Sequence, residues 1–583
     1  MTTIFKSNSK LYILLFAIII LFFAAPALNN IHYSPQPQFW AEMTAAFIIV
    51  AMFIYTTISH KRISIPFSVI PLGLFALYLS LQDHFVNNIN FIGLNYIASL
   101  EMVICIMVAI SINTIKQEVS LRMITTVICY AILTGTILQS LIGLIQFTGT
   151  AKYCHDIIFY DSAHPTTNIF GHFGQRNHYA HYLSWGTFAL VYLYAREKIK
   201  PELFYTLAIW LCFSLTISAS RSVFLYFALA SFISIISLTF RYKNLEIRRL
   251  AFLILITTVI LILVQYALPI VQKLLSDNSQ AASGLSRLQS SDGGGRRIIE
   301  WQKALIIFKD HPLFGIGWNG FARQSVLLHP QFPDAALNSG LFTNCHNLVL
   351  QLLSETGIVG ALIVVFGIIV CIIRIIRNNF GSEQLILLCL IGTTITHSMD
   401  EYPLWYLYFL AGFVVFLSLD KPILIINTNI YKKFAILLPA TIIGILMIQS
   451  SFTFDKLVSY YDTPDEQKEF NAQGNYLRNL ADNNTIWAYY GIYTLDNYID
   501  VDTDETNNFM SINEQRKYTN RLEKYHPYPD TMLKLAMLDF SLGDTSSAES
   551  LIQLDTVAFP VYKASFKQTL SDPYYKKLKG LIK

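Results

Sequence analysis

Uninterrupted apolar runs of about 20 residues recur along most of this chain, and they restrict it to one kind of fold. A helix of that length crosses the hydrocarbon core of a bilayer while satisfying its own backbone hydrogen bonds. About thirteen such runs are centred near residues 19, 49, 73, 102, 134, 187, 210, 231, 259, 366, 391, 412 and 441. The chain is 54% hydrophobic and 14% charged, well below the roughly 25% charged residues of soluble domains. The expected fold class is therefore an all-α polytopic membrane protein with about 13 transmembrane helices. The first run ends in Ala25-Pro26-Ala27, a passable signal-peptidase pattern. It is read as an uncleaved helix because further spans follow at once.

Orientation follows from the short loops. One alternating set carries Lys6 and Lys10, Lys61 and Arg62, Lys116 and Arg122, Arg196 to Lys200, Arg241 to Arg249, Arg374 and Arg377, and Lys421 to Lys433. The opposite set holds Asn29–Phe39, Gln82–Asn90 and the turn His397–Pro403, none of them with Lys or Arg. The basic side is cytoplasmic. Two long loops, about Phe147–Asn177 and Val271–Asn344, then lie outside, as does the polar tail from about Phe452 to Lys583. Every histidine except His60 falls on or near that outer face.

Three regions are expected. Residues 1–150 form an N-terminal transmembrane bundle and 151–450 a core with the loop 271–344. Residues 451–583 form a separate soluble helical domain. In that tail, Tyr528–Phe559 reads as two helices around Leu542-Gly543-Asp544, resembling one tetratricopeptide-like hairpin. Asp502-Thr503-Asp504 has the form of a metal-binding DxD, but no Rossmann-like context accompanies it, so an exposed turn is the simpler reading.

Polar residues gather in a few places on the outer face. Gln175-Arg176-Asn177-His178 opens the sixth span. Asn177 suits an N-cap, whereas the cation Arg176 at a helix start is disfavoured by the dipole. Arg221, in the short link between the seventh and eighth spans, stands near membrane depth, where a charge is costly and is usually paired or functional. Gly293-Gly294-Gly295-Arg296-Arg297 precedes a helix containing Trp301, and free N–H groups with two guanidinium forks make an anion receptor. His346 stands at the mouth of the tenth span as a candidate base. Asn347, Gln351 and Ser354/Glu355 follow it along one helix face. A last patch runs from His397 through Glu401 to Pro403.

Arginines from separate outer segments plus a histidine point to a polyanion at the outer leaflet, and a lipid-borne diphosphate is the natural candidate. No HExxH, Cys/His metal spacing, GxSxG or Walker loop is present, so metal hydrolysis, serine hydrolysis and ATP use find no support. No basic block suggests nucleic acid.

These motifs resemble the bacterial O-antigen ligase superfamily, specifically PglL-like protein O-oligosaccharyltransferases of the pilin-glycosylating kind. The likeness rests on Gly174 to His178, the Arg297-x-x-x-Trp301 helix with Asp310 to Gly317, His346-Asn347 to Glu355-Thr356-Gly357, and His397-Ser398 with Glu401 to Leu404. It covers about residues 150–420. The resemblance implies a GT-C-like glycosyltransferase fold in the bacterial inner membrane, with a periplasmic site for a polyprenyl-diphosphate glycan. It also implies inverting transfer with no metal and no cofactor. By motif, His346 is the histidine needed for transfer, and Arg297 and Arg221 are the diphosphate arginines. Arg296 has no clear counterpart, and Arg176 is either an ordinary variant or a further ligand.

The expected reaction moves an oligosaccharide en bloc to a Ser/Thr hydroxyl of a pilin or another periplasmic protein. His346 takes the proton, and Arg221 and Arg297, with Arg176 and Arg296 as further candidates, take the diphosphate charge. Gln175, Asn177, His178, Trp301, Asn347, Glu355, His397 and Glu401 are expected in support, with membrane lipids as surroundings. Three alternatives stay open: ligation of O-antigen to lipid A core, glycan polymerisation, and a lipid-diphosphate flippase without chemistry. Cys154 and Cys345 are the only cysteines in outer loops, where they are either paired or two free thiols.

Overall fold

The computed structural model describes residues 4–87, 89–275, 294–332, 340–377, 379–501 and 509–582. Gly293 and the Asp502-Thr503-Asp504 turn lie outside the described residues.

Each apolar run expected from the sequence lies in a helix. In order these are α1 (Ile4–Ala24), α2 (Phe39–Ser59), α3 (Val69–Leu81), α4 (Ile92–Glu118), α5 (Leu121–Phe147), α6 (Arg176–Ala195), α7 (Pro201–Ile217), α8 (Ser222–Arg241) and α9 (Leu245–Leu275). The long loop contributes α10 (Gly294–Asp310) and α11 (Phe321–Leu327). Then come α12 (Leu348–Arg377), α13 (Ser382–Ser398), α14 (Leu407–Leu417) and α15 (Ile430–Ser459). Among the described residues, 7 helices are long and apolar enough to cross a membrane by length and composition. They are α2, α4, α5, α8, most of α9, α12 and α15. The protein is a multi-pass membrane protein, although helices such as α3 and α14, with 13 and 11 residues, are too short to do so alone.

α6 is the axis of the bundle. All its residues from His178 to Leu193 are buried, enclosed by α5, α7, α9 and α13. Close approach of α5 requires glycine at 186, where a Cβ would meet Thr136 Oγ1 at 2.1 Å. A helix buried all round must be apolar or must satisfy its polar groups internally. Ser184 and Thr187 do so by donating to Ala180 O and Leu183 O. The first turn of this enclosed helix, with Gln175 just ahead of it, carries the Gln175–His178 motif.

On the basic face, Arg122 and Arg196 both pair with Glu246. That face also holds the described strands, which an all-α expectation omits. β1 (Arg62–Ile65) pairs antiparallel with β2 (Leu424–Asn427), with Arg62 opposite Asn427. Four-residue strands inside basic links carry too little alternation to stand out from loop sequence.

α12 is broken near its start. Gly357 sits at φ 61°, so Ile358 and Val359 donate not within the helix but to Pro312 O and Leu313 O, at 2.9 and 3.3 Å. The freed carbonyls of Ser354 and Glu355 accept from Ile316 and Gly317 at 3.0 and 3.1 Å. Gly315 and Gly357 let the two backbones touch, since a Cβ on either would meet backbone at 2.3 Å. The Pro312–Gly317 and Glu355–Gly357 motifs are thus a backbone clamp that fixes the outer loop to α12.

The tail holds α16 (Gln467–Asn483), α17 (Ala488–Leu495), α18 (Ile512–Glu523), α19 (Pro529–Ser541) and α20 (Thr545–Ala558), with two shorter helices after them. α19 and α20 flank the Leu542-Gly543-Asp544 turn as expected. The tail does not stand apart, however. Phe91 and Leu94 at the start of α4, and Phe454 and Leu457 at the end of α15, share one apolar cluster with Leu477, Tyr489, Ile492 and Leu522. Val326 of α11 packs with Met532, Ala558 and Phe559. An ion pair, Arg323 to Glu523 at 2.9 Å, joins the same surfaces. The tail is a roof, bonded to the loop and to the bundle.

Candidate active site

Glu401, in the turn between α13 and α14, is 3% exposed and collects three other segments of chain. Its Oε1 accepts Arg297 Nη2 at 2.5 Å and Asn177 Nδ2 at 2.8 Å. Its Oε2 accepts His346 Nδ1 at 2.8 Å and Gln175 Nε2 at 3.1 Å. A carboxylate has about four acceptor positions, so this one is saturated. Burial works to raise its pKa. The hydrogen bond from His346 and the charges of His346, Arg297 and His178 outweigh that and hold the carboxyl at about 2.

An ionised Glu401 only accepts, so the hydrogen between it and His346 resides on Nδ1. In its neutral form the imidazole then carries its lone pair on Nε2, the nitrogen that Glu401 does not engage, and the side chain is 19% exposed. His346 itself has φ 57°, a conformation rare for a residue with a Cβ. Its N–H donates to Asn344 Oδ1 at 2.7 Å, and the Tyr402 ring stands edge-on at 5.2 Å. The strained backbone aims the ring, and Glu401 fixes its tautomer.

Arg297 spans both carboxylates of the turn, with Nη1 on Asp400 Oδ1 at 2.6 Å as well as Nη2 on Glu401. Arg221 heads α8, and its two neighbours reach the same centre. Ser220 Oγ donates to Asn177 Oδ1 at 2.7 Å, and Ser222 Oγ to Asp400 Oδ2 at 2.9 Å. Asp400, Ser220 and Ser222 had no expected role. Asp400 was visible beside Glu401, but its pairing with Arg297 spans 103 residues, and no local pattern announces it.

Other expected residues fall elsewhere. Arg176 donates to Asn168 Oδ1 at 2.6 Å. Arg296 donates to Gly340 O at 2.8 Å and lies 4.0 Å over Phe342, whose ring is 5.3 Å from His346. Asn177 is no N-cap, because α6 starts one residue earlier, behind Gln175. Asn347 accepts from Leu350 N at 3.1 Å and so opens α12. Gln351 caps Cys345 N at 2.7 Å, and fully buried Glu355 accepts Phe321 N at 3.2 Å. That helix face supports the loop rather than facing His346. Trp301 packs with Ala304, Ile307, Phe321 and Cys345 in the loop's own core. His397 is buried under the turn, bonded to Tyr226 Oη, with the His178 ring 5.3 Å away. Cys154 and Cys345 are both free thiols, Cys345 donating to Asn347 O at 3.5 Å.

Beside this centre opens a cavity of about 1160 Å³, bordered there by Gln175, Asn344 and Tyr402. It continues between the helices past Phe75, Met102, Ile368, Phe413 and Val414, and the roof closes it with Trp487, Tyr489 and Tyr490. Its volume exceeds the roughly 300–1,000 Å³ of ordinary small-molecule pockets.

A many-helix membrane protein with a carboxylate-oriented histidine and arginines beside an amphipathic cavity is the class defined so far. Comparisons narrow it. A family model described as O-Antigen ligase matches residues 206–365, from α7 through the loop into α12. A second, Protein glycosylation ligase, matches 169–194, the start and length of α6. A third, Virulence factor membrane-bound polymerase, C-terminal, matches 385–571. The chain is 26% identical over 311 residues to the General O-oligosaccharyltransferase of Acinetobacter baylyi, covering 52% of each chain. It is 25% identical over 243 residues to the ComP-specific O-oligosaccharyltransferase of the same organism, covering 41% of this chain and 42% of that one. The chain thus matches about half the length of these curated relatives. Over these segments the chain is similar to O-antigen ligases and protein glycosylation ligases.

Proposed function

We propose that this protein is an oligosaccharyltransferase of the bacterial inner membrane that moves a glycan from a polyprenyl-diphosphate carrier to a hydroxyl of a periplasmic protein, a pilin being one candidate. The observation that carries this reading is the Glu401–His346 hydrogen bond, which turns a proton-accepting Nε2 outwards beside an amphipathic cavity. The apolar depth of that cavity suits a polyprenyl chain, and its mouth adjoins the polar centre.

In the reaction the acceptor oxygen attacks the anomeric carbon from the face opposite the diphosphate, so a C–O bond forms with inversion. The bond from that carbon to the diphosphate oxygen breaks, and its electron pair leaves with the lipid. The acceptor proton passes to His346 Nε2, help worth roughly 10²–10⁴-fold. The lipid diphosphate leaves as a weak base that needs cations rather than a proton. Arg297 contributes the donors of its five that Asp400 and Glu401 do not take, held in a fork that the two carboxylates preorganise. Arg221, flanked by Ser220 and Ser222, which bond to Asn177 and Asp400, is assigned as the second guanidinium. No metal is required in this scheme.

Replacing His346 by Ala in purified full chain tests it, with a lipid-linked glycan and an acceptor protein in detergent. Transfer is expected to stop while donor binding persists; wild-type transfer by the variant refutes the base. Detergent removes the flippase alternative, since no sealed membrane is present. A second reading has one observation in its favour, the match of 385–571 to a polymerase C-terminal region. There the acceptor hydroxyl belongs to a glycan, and lipid A core or a second lipid-linked glycan replaces protein in the same assay.

A further inference from the structure

The cavity is chemically divided, and its outer half has properties that a lipid channel does not need. Glu42, one turn into α2, and Glu101 of α4 both face it. α4 has 27 residues, about 40 Å at 1.5 Å per residue, against a hydrocarbon core of about 30 Å. Glu42, in the first turn of α2, stands at the outer end of its span, and Glu101 lies nine residues into α4, about 14 Å from that helix's outer start. Two carboxylates sharing an apolar cavity repel each other and lose hydration, a cost that membrane proteins seldom bear without a function. Among the described residues no Lys or Arg lines the cavity. A diphosphate therefore finds no cation inside it and is left to the arginines beside Glu401.

Opposite the acids the roof is aromatic, not aliphatic. Phe39, Trp487 and Tyr490 form a run with ring centres 6.1 and 5.7 Å apart, and Tyr489 adjoins Tyr490 at 5.0 Å. Tyr490 lies within electrostatic reach of both Glu42 and Glu101. Flat rings present a face to the C–H side of a pyranose, and tyrosine adds a hydroxyl at the edge. Carboxylates accept from its hydroxyls, which donate in neighbouring pairs.

We infer that the outer half of this cavity is a carbohydrate subsite. Glu42 and Glu101 hydrogen-bond sugar hydroxyls, and Trp487 and Tyr490 of the roof stack on the rings. The subsite rests on the transferase reading above and deepens it, for it would hold the sugars beyond the one being transferred. The donor then lies with its diphosphate at Arg297 and Arg221 and its outer sugars along the roof, so the protein reads glycan rather than lipid.

The test uses full chain in detergent with two lipid-diphosphate donors, one bearing a single sugar and one an oligosaccharide. Wild type is expected to favour the oligosaccharide in kcat/KM. Glu42→Gln and Glu101→Gln, nearly isosteric and safe for folding, are expected to cut that preference at least tenfold through KM. An unchanged preference overturns the subsite, and so does an equal loss on both donors. If wild type transfers from neither donor, the transferase reading fails instead. The subsite is then tested alone by titrating free oligosaccharide against tryptophan emission. A saturable change that Glu42→Gln abolishes supports it, and no change overturns it.

Discussion

Glu401 and His346, 55 residues apart in the chain, meet at 2.8 Å, and this bond decides which imidazole nitrogen faces outwards. Without an ionised acceptor at Nδ1, the ring has no reason to keep its hydrogen there.

Glu401→Gln should therefore cost transfer roughly 10²–10⁴-fold, mainly in kcat. The amide offers one acceptor atom where the carboxylate offers two, so the imidazole loses its fixed tautomer. Steady-state kinetics against donor concentration would check this, and a variant with normal kcat would end the orienting role.

The depressed Glu401 pKa also has a stability consequence. Its folded value of about 2 lies below the ordinary 4.5. The stabilisation is thus fully present above the ordinary carboxylate range and is lost as pH falls through about 2. The contribution is on the order of 3 kcal/mol. Thermal melting in detergent between pH 6 and pH 3 should show wild type losing stability faster than Glu401→Gln. Parallel curves would mean that the carboxyl is not held down.

Gly357→Ala should destabilise the protein by ~3 kcal/mol or more, combining left-handed strain with a Cβ placed 2.3 Å from Leu313 backbone. A melting temperature equal to wild type would show that the clamp is not rigid. Transfer, where the variant folds, should fall because α10 and Arg297 are positioned through that clamp.

Arg323→Ala leaves Glu523, 2% exposed, without its cation. Burial already pushes that carboxyl up against the opposing charge of Arg323. Breaking such a pair from one side costs about 3–5 kcal/mol, and here the loss should fall on the contact between loop and roof. Limited proteolysis should release tail fragments earlier than in wild type, while the helical bundle stays protected.

The helices were legible because membrane helices announce themselves by length and apolarity, and each expected centre lies in one. The grouping of Gln175, Asn177, Arg297, His346 and Glu401 could be anticipated only as segments sharing a face. Which atoms meet depends on loop paths that span more than 100 residues. Glu355 belongs to a backbone clamp and Trp301 to the loop's own core, and neither role has a local signature different from that of a ligand-binding motif. The roof's attachment was hidden because Phe91, Phe454 and Tyr489 each look like ordinary apolar positions until they are packed together.

That shared cluster bears on any attempt to divide the chain. Cutting near residue 460 to obtain a water-soluble fragment would strip Leu477, Ile492 and Leu522 of their partners on α4 and α15. The excised piece would carry a greasy seam and self-associate, while the remaining bundle would gape over Trp318 and Phe39. The cavity is walled jointly by both halves, so neither would inherit it.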